Sequence, residues 1–546
     1  MEVPHSTINF TGKGKTAAYF CMEYAIDDSL HLYSGGLGYL AGSHLRSAFA
    51  LNKNLVAIGI LWKGGYYDQV RGDHNHMKVE FVTRNYDFLQ DTGIEFQIQI
   101  NNSPVWVKAY FLPPQTFGSA PLYLLSTDHP ENDYLAHTIV DRLYAPDNAA
   151  KIAQSILLGI GGGILLEKLG IAPDVYHLNE GHGLPLAFYL LSLYKNVEEV
   201  KKRMVFTTHT PERAGNEEHP LWLLSKMGFF YDLSEGDIRK FLQLNSENLN
   251  YTITALQLSK IANGVSAIHG KVSQQLWGNN SGTCKITSIT NAQNAAYWTD
   301  KPLQQAFKNG SDNEMRERKR EMKKQLFHVV QQQTGKEFKP EVLTIVWARR
   351  FAGYKRADLL IRDQERFFQL LNNVKFPIQI IWAGKPYPED HGGTETFNRL
   401  VDFTHSLKQC AVLTGYELSL SALLKQGADV WLNTPRYPRE ASGTSGMSAA
   451  MNGAINVSVA DGWFPEFAKD KTNGFVIPAY DTPEYFHKQD EQDHANLMDI
   501  IEYAVVPMYY NQHENWLKVV KQSMHDIVPQ FDSDRMVQEY FDKMYL

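Results

Sequence analysis

Cysteine is scarce in this chain. Its three cysteines, Cys21, Cys284 and Cys410, are far apart and odd in number, which argues against a disulfide framework. No Cys-x-x-Cys or His-Glu-x-x-His spacing occurs, so no metal ligand set is indicated. There is no block of Lys and Arg, and the net charge is −7, which argues against nucleic acid and anionic membranes as main partners. Long apolar runs are also missing. The greasiest segment, 156–171, is interrupted by Gly159, Gly161, Gly162, Gly163 and Glu167, and reads as a buried helix rather than a membrane span. The opening residues, Met1-Glu-Val-Pro-His-Ser-Thr7, lack a charged-then-apolar secretory pattern, so a cytoplasmic location is expected. No internal repeat or low-complexity segment appears.

What is present is an ordinary globular composition over 546 residues, too long for one hydrophobic core. The pattern predicts two consecutive strand–helix cycles. In the first, apolar strands at 17–23, 55–61, 121–126, 175–179, 203–209 and 285–290 alternate with helical stretches at 39–51, 148–169 and 252–273, and 77–110 suggests hairpins. A charged helix over 312–333 leads into the second cycle, with strands at 343–348, 378–383, 411–414, 429–432 and 455–459; the tail 516–546 is helical again. The fold class is therefore α/β, with two doubly wound, Rossmann-like domains facing across a cleft.

Chemistry gathers where strands end. After the 429–432 strand comes Glu440-Ala-Ser-Gly-Thr-Ser-Gly-Met-Ser448, a small-residue loop running into a helix. Ser442, Gly443, Thr444, Ser445 and Gly446 allow a sugar or phosphate close to the main chain, and Glu440 is a fixed acceptor for hydroxyls. Ser34-Gly-Gly-Leu-Gly38 forms a second strand–glycine–helix unit. Arg349, Arg350, Lys355 and Arg356 cluster after the 343–348 strand, where Arg350 and Lys355 suit phosphate. Taken singly, each segment also fits an ordinary turn or a solvated helix start.

Together these segments resemble the glycogen (α-glucan) phosphorylase family, especially its short bacterial branch. The resemblance rests on Tyr33–Gly42, His177–His182, Val205–Pro211, Asn263–Gly270, Ala348–Arg356, Trp382–Lys385, Asp429–Pro435 and Glu440–Gly453, in family order. It implies the two-domain GT-B glycosyltransferase fold, divided as 1–293, 294–524 and a terminal helix 525–546 packing back on the first domain. It assigns Gly36, with the neighbouring Gly35 and Leu37, to the leaving phosphate. The His209 carbonyl and Asn291 go to the sugar, and Arg350 and Lys355 to the phosphate. Glu440, Ser442 and Gly443 go to the sugar hydroxyls. Trp298, Tyr416, Arg349 and position 448 line the cofactor or nucleotide pocket. A homodimer is implied by resemblance alone.

One departure decides the expected function. The family carries a lysine eight residues after the loop glutamate, where it holds pyridoxal phosphate as an imine; here that residue is Ser448, and a hydroxyl forms no imine. Glycosyltransferases of this fold that use nucleotide sugars often place a ribose-binding glutamate at the same step. The expectation is thus a retaining hexosyltransferase using a nucleotide sugar and a sugar or small-molecule acceptor, without covalent pyridoxal phosphate. The alternatives are an α-glucan phosphorylase holding pyridoxal phosphate noncovalently, a non-catalytic glucan-binding protein, and a phosphorylase with a relocated lysine such as Lys385 or Lys425.

Overall fold

The computed structural model describes residues 8, 10–211, 215–480 and 486–546; the opening segment Met1–Thr7 lies outside them. The chain divides into two compact units. One holds the residues up to Tyr67, Phe81–Asn291 and Ser533–Leu546; the other holds Asp68–Glu80 and Ala292–Asp532.

In the first unit the sheet strands are Ala17–Phe20 (β1), Leu55–Ile60 (β2), Gln90–Ile100 (β3), Ser103–Leu112 (β4), Leu122–Ser126 (β5), Val175–Asn179 (β6), Met204–Thr207 (β7), Ile261–Gly264 (β8) and Lys285–Ser288 (β9). They form one nine-stranded sheet in the order β9-β8-β7-β6-β1-β2-β5-β4-β3. The strands from β9 to β5 run parallel, and the β3–β4 hairpin closes one edge antiparallel. Every residue of β1, β2, β5 and β6 is buried. Short unbroken apolar strands covered on both faces are what a parallel sheet requires. The glycine-broken segment is a core helix. Asn148–Lys168 is the one helix among the described residues long and apolar enough to cross a membrane by length and composition, and 78% of its most apolar window is buried. Its glycines permit close packing: a Cβ at Gly162 would meet the Phe20 ring at 2.6 Å and Ile58 at 2.8 Å.

The helix expected over 252–273 is corrected. Two helices, Tyr251–Gln257 and Ala267–Trp277, flank strand β8, which pairs with both β7 and β9. Apolar spacing in so short a stretch does not separate a doubly covered strand from a buried helix. The tail also differs in extent from the 525–546 expectation: the first unit takes only Ser533–Leu546. There the Tyr545 hydroxyl bonds His177 Nδ1 at 2.7 Å, and the Tyr540 hydroxyl meets Thr207 at 3.2 Å and Asn263 at 3.1 Å.

In the second unit Leu343–Ala348 (β10), Ile378–Ala383 (β11), Cys410–Leu413 (β12), Val430–Asn433 (β13), Ile455–Val459 (β14) and Gly474–Ile477 (β15) form an all-parallel sheet ordered β12-β11-β10-β13-β14-β15. The order reverses at β10, the doubly wound arrangement whose strand ends bind ligands. The hairpin Asp68–Arg71/Met77–Glu80 belongs to this unit although its flanking sequence belongs to the other. Gln69 donates to the Gly384 carbonyl (2.9 Å) and accepts from the Gly415 amide (3.1 Å), and His76 pairs with Asp402 at 2.8 Å.

Candidate functional site

The loops after β10 and β13 bring three charged groups together in the second unit. Arg349 and Glu440 form a buried ion pair at 2.6 Å, and Lys355 Nζ stands 3.2 Å from both Glu440 oxygens. Two buried cations thus share one carboxylate. Burial alone would raise Glu440, but Arg349 and Lys355 hold it down at about 2. Burial, with the repulsion of Arg349, pushes Lys355 down to about 7 against the pull of Glu440. Arg350 is the exposed member of the cluster; it donates to the Tyr354 hydroxyl and adds to the positive field at Lys355. The structure therefore brings Arg349, Lys355 and Glu440 into direct contact and leaves Arg350 facing solvent.

The backbone around this cluster is closely constrained. Gly384 has φ +142, and a Cβ there would lie 1.7 Å from the Arg349 carbonyl oxygen. Gly443 has φ +82, and a Cβ there would meet Arg349 Nη2 at 3.1 Å and the Glu440 side chain at 3.2 Å. Asp461, which the motif reading did not single out, anchors the loop: its carboxylate accepts from the amides of Glu440 (2.9 Å) and Gly462 (2.8 Å). Burial raises Asp461 to about 7, and the Glu440 charge adds to the rise. Two buried atoms here have no partner among the described residues, Arg349 Nη1 and Ser442 Oγ. Orphaned donors beside a buried carboxylate are places where a ligand completes the hydrogen bonding.

Helix α4 (Ser445–Met451) follows the loop, with Thr444 at its cap position. Ser445 Oγ accepts from the Trp431 indole at 3.3 Å, and the Gly446 carbonyl accepts from Asn456 at 2.9 Å. Ser448 is fully buried, and its hydroxyl donates to the Ser445 carbonyl at 3.3 Å. Its hydroxyl is thus turned toward its own helix. Trp298 is buried, with the Lys425 amine 3.4 Å from its ring centre. The Tyr416 hydroxyl accepts from Ser421 at 3.2 Å. Lys385 is tied to Glu417 in an ion pair.

The first unit carries the other expected residues. A Cβ at Gly35 or Gly36 would meet nothing within 4 Å, so the main chain stays open to approach there. Gly36 and Leu37 open helix α1 (Gly36–Ala50). The amides before them are engaged: Glu23, which the motif reading missed, accepts from Ser34 N at 2.7 Å, Gly35 N at 3.2 Å and the Tyr144 hydroxyl at 2.6 Å. A buried carboxylate at the end of an otherwise apolar strand was the available signal. His209 bonds Asn179 through Nε2 at 2.7 Å, and its amide donates to Glu180 at 2.7 Å. Burial, with His269 and His182 nearby, lowers His209 to about 3, so its imidazole is neutral. Glu180 itself sits at φ 73, ψ 168, a region that only glycine enters without strain. Asn291 is buried, and its Oδ1 has no partner among the described residues.

Two comparisons with known proteins bear on these features. A carbohydrate phosphorylase family model matches residues 289–474, which include β10 to β14 and the Glu440 loop. An uncharacterized protein of Methanocaldococcus jannaschii is 45% identical over 532 residues, 97% of this chain and 100% of that protein. Maltodextrin phosphorylase of Thermococcus litoralis is 33% identical over 605 residues, 99% of this chain and 72% of that protein. Glycogen phosphorylase of Aquifex aeolicus is 30% identical over 615 residues, 99% of this chain and 87% of that protein. With both doubly wound units spanned by these matches, the chain belongs to the carbohydrate phosphorylase family and is a phosphorylase-like, glycosyl-transferring protein with the family's GT-B fold.

Proposed function

We propose that this protein is a retaining glycosyltransferase that moves a hexosyl group of glucosyl type from a nucleotide sugar to a sugar or small-molecule acceptor. The observation that carries the reading is the buried cluster of two cations on one carboxylate, with Arg349 Nη1 and Ser442 Oγ still to be partnered. A donor with linked phosphates supplies the missing negative charge, and its sugar hydroxyls supply acceptors and donors for Glu440 and Ser442. Lys355 and Arg350 stabilise the leaving diphosphate, and Glu440 fixes the ring while the acceptor attacks from the same face. Such catalysis is positioning and electrostatic stabilisation, with no protein nucleophile.

The residues present do not fit a covalently held pyridoxal phosphate at position 448, where a buried hydroxyl bonds the Ser445 carbonyl and no amine is offered. The likeness to maltodextrin and glycogen phosphorylases favours a second reading, α-glucan phosphorolysis with noncovalent pyridoxal phosphate. A thermal-shift panel of nucleoside diphosphates, nucleotide sugars, and pyridoxal phosphate with phosphate separates the two. A ligand at about 100 times its Kd adds roughly 2.7 kcal/mol. The expected result is a selective rise in Tm with one nucleoside diphosphate and its sugar. A rise only with pyridoxal phosphate and phosphate overturns the proposal in favour of the second reading.

A further inference from the structure

The segment that carries Lys355 into the Glu440 cluster also walls a separate pocket inside the second unit. Its volume is about 440 Å³, within the roughly 300–1,000 Å³ of small-molecule sites. It lies between the 351–362 segment, the start of helix α2 (Gln364–Leu371) and helix α3 (His391–Thr404). Arg349, Lys355 and Glu440 do not line it. Four arginines do, and they divide into two kinds. Arg356 donates to Asp490 (2.9 Å), Asp493 (2.6 Å) and the carbonyls of Thr434 (2.8 Å) and Pro435 (2.7 Å). Arg436 grips Asp490 through two nitrogens, at 2.8 and 2.6 Å. These two cations are spent on the fold, and Asp490 and Asp493 balance their formal charge. Arg362 and Arg399 are not spent. The carboxylate oxygens nearest Arg362 are 3.7 Å away on Asp490 and 3.9 Å away on Glu491, beyond hydrogen-bond length. Arg362 makes no hydrogen bond among the described residues. Arg399 gives one nitrogen to Asp358 and keeps its other donors. The rest of the wall is apolar: Phe351, Ala357, Leu359 and Phe403 line it, and Phe403 stacks on Phe368 at 5.8 Å.

We propose that this pocket binds an organic phosphate, a compound with one phosphate group on a planar or apolar body, at a site separate from the Glu440 cluster. The phosphate meets Arg362 and Arg399, and the body lies against Phe403. Partly exposed arginines on a flat surface are ordinarily just solvated; these two border a concave site with an aromatic wall. A phosphomonoester offers three terminal oxygens and a charge of about −1.5 to −2, enough for two guanidinium forks at once. A carboxylate has two oxygens and a single charge, which one fork satisfies. Gly353 leaves the pocket's main chain open to a ligand, because a Cβ there would meet nothing within 4 Å. Lys355 and Arg356 are consecutive residues, so the two sites share one loop.

The test is calorimetric titration of the full chain with phenyl phosphate, inorganic phosphate and benzoate. Lys355→Met is the background, because it weakens anion binding at the Glu440 cluster. The expected result there is one phenyl phosphate per chain, bound about tenfold or more tighter than inorganic phosphate or benzoate. Adding Arg362→Ala and Arg399→Ala should weaken phenyl phosphate by about tenfold or more, since each removes charge-assisted hydrogen bonds. The same two substitutions in the otherwise wild-type chain should remove the same site. If the paired variant does not melt cooperatively, Arg362→Ala alone replaces it, because that side chain holds no hydrogen bond among the described residues. Failure of phenyl phosphate to bind Lys355→Met overturns the proposal. Binding that the arginine substitutions leave unchanged also overturns it, and returns the anion to the Glu440 cluster. Benzoate or inorganic phosphate binding as tightly as phenyl phosphate refutes the assignment to an organic phosphate. No nucleotide enters these titrations, so their outcome is distinguishable from a failure of the nucleotide-sugar reading.

Discussion

The shared carboxylate makes ligand binding depend on pH in a specific direction. Lys355 is held at about 7, well below the ordinary 10.5, because it is buried beside Arg349 and only half of Glu440's charge is its own. An anionic ligand placed against this cluster supplies the second negative charge and lets Lys355 recover toward its ordinary value. Between about pH 7 and 10.5 the complex then holds a proton that the free protein lacks, so binding takes up a proton and affinity falls as pH rises through that window. The steepest expected slope is about tenfold in Kd per pH unit, with a ceiling near 5 kcal/mol if Lys355 recovers fully. A phosphate's second ionisation is centred near about pH 6 and adds negative charge, so the ligand's own titration does not produce a decline above neutrality. The assay is calorimetric titration of the nucleoside diphosphate that scores in the thermal panel, from about pH 7 to about pH 9, in buffers of different ionisation enthalpy. Lys355→Met should bind more weakly and lose the slope. A Kd that is flat or improves across this range in wild type, or a slope that persists in Lys355→Met, refutes the reasoning.

Two further outcomes follow from the residues around this cluster. Glu440 is depressed in the fold to about 2 from an ordinary 4.5, so its contribution, on the order of 3 kcal/mol, is present above about pH 4.5 and lost as pH falls toward 2. Tm measured against pH should therefore drop more steeply in wild type than in Glu440→Gln over that acid range, and parallel curves would count against the ion pair. Gly384→Ala should cost about 2 kcal/mol or more, since its Cβ collides with the Arg349 carbonyl at φ +142; chemical denaturation showing an unchanged midpoint would contradict the geometry.

Much of the second unit was legible in the sequence. The strands at Leu343–Ala348, Ile378–Ala383 and Ile455–Val459 coincide with expectation because each is a short buried run rich in β-branched residues. The Glu440 loop was legible too, because small residues between a strand and a helix have few uses. Three things were not. Strand β8 was hidden because four residues, three of them buried, are too few to carry a distinguishing period. Which of Arg349 and Arg350 turns inward depends on the side of the chain each takes at a strand end, and neighbouring arginines look alike in sequence. The Lys425–Trp298 contact joins segments far apart in the chain, as does the clamp of Glu23 on Ser34 and Tyr144. Such long-range partners are fixed only by the assembled fold.

The division of the chain also constrains how it is made. The hairpin at Asp68–Glu80 is synthesised early but has its partners in a unit whose first long strand is not made until Leu343. The first unit, for its part, receives Tyr540 and Tyr545 against His177 and Thr207 only with the last residues. The second unit's residues are complete at Asp532, whereas the first unit still awaits Ser533–Leu546. A cut within residues 81–291 therefore leaves each unit without a piece encoded on the far side.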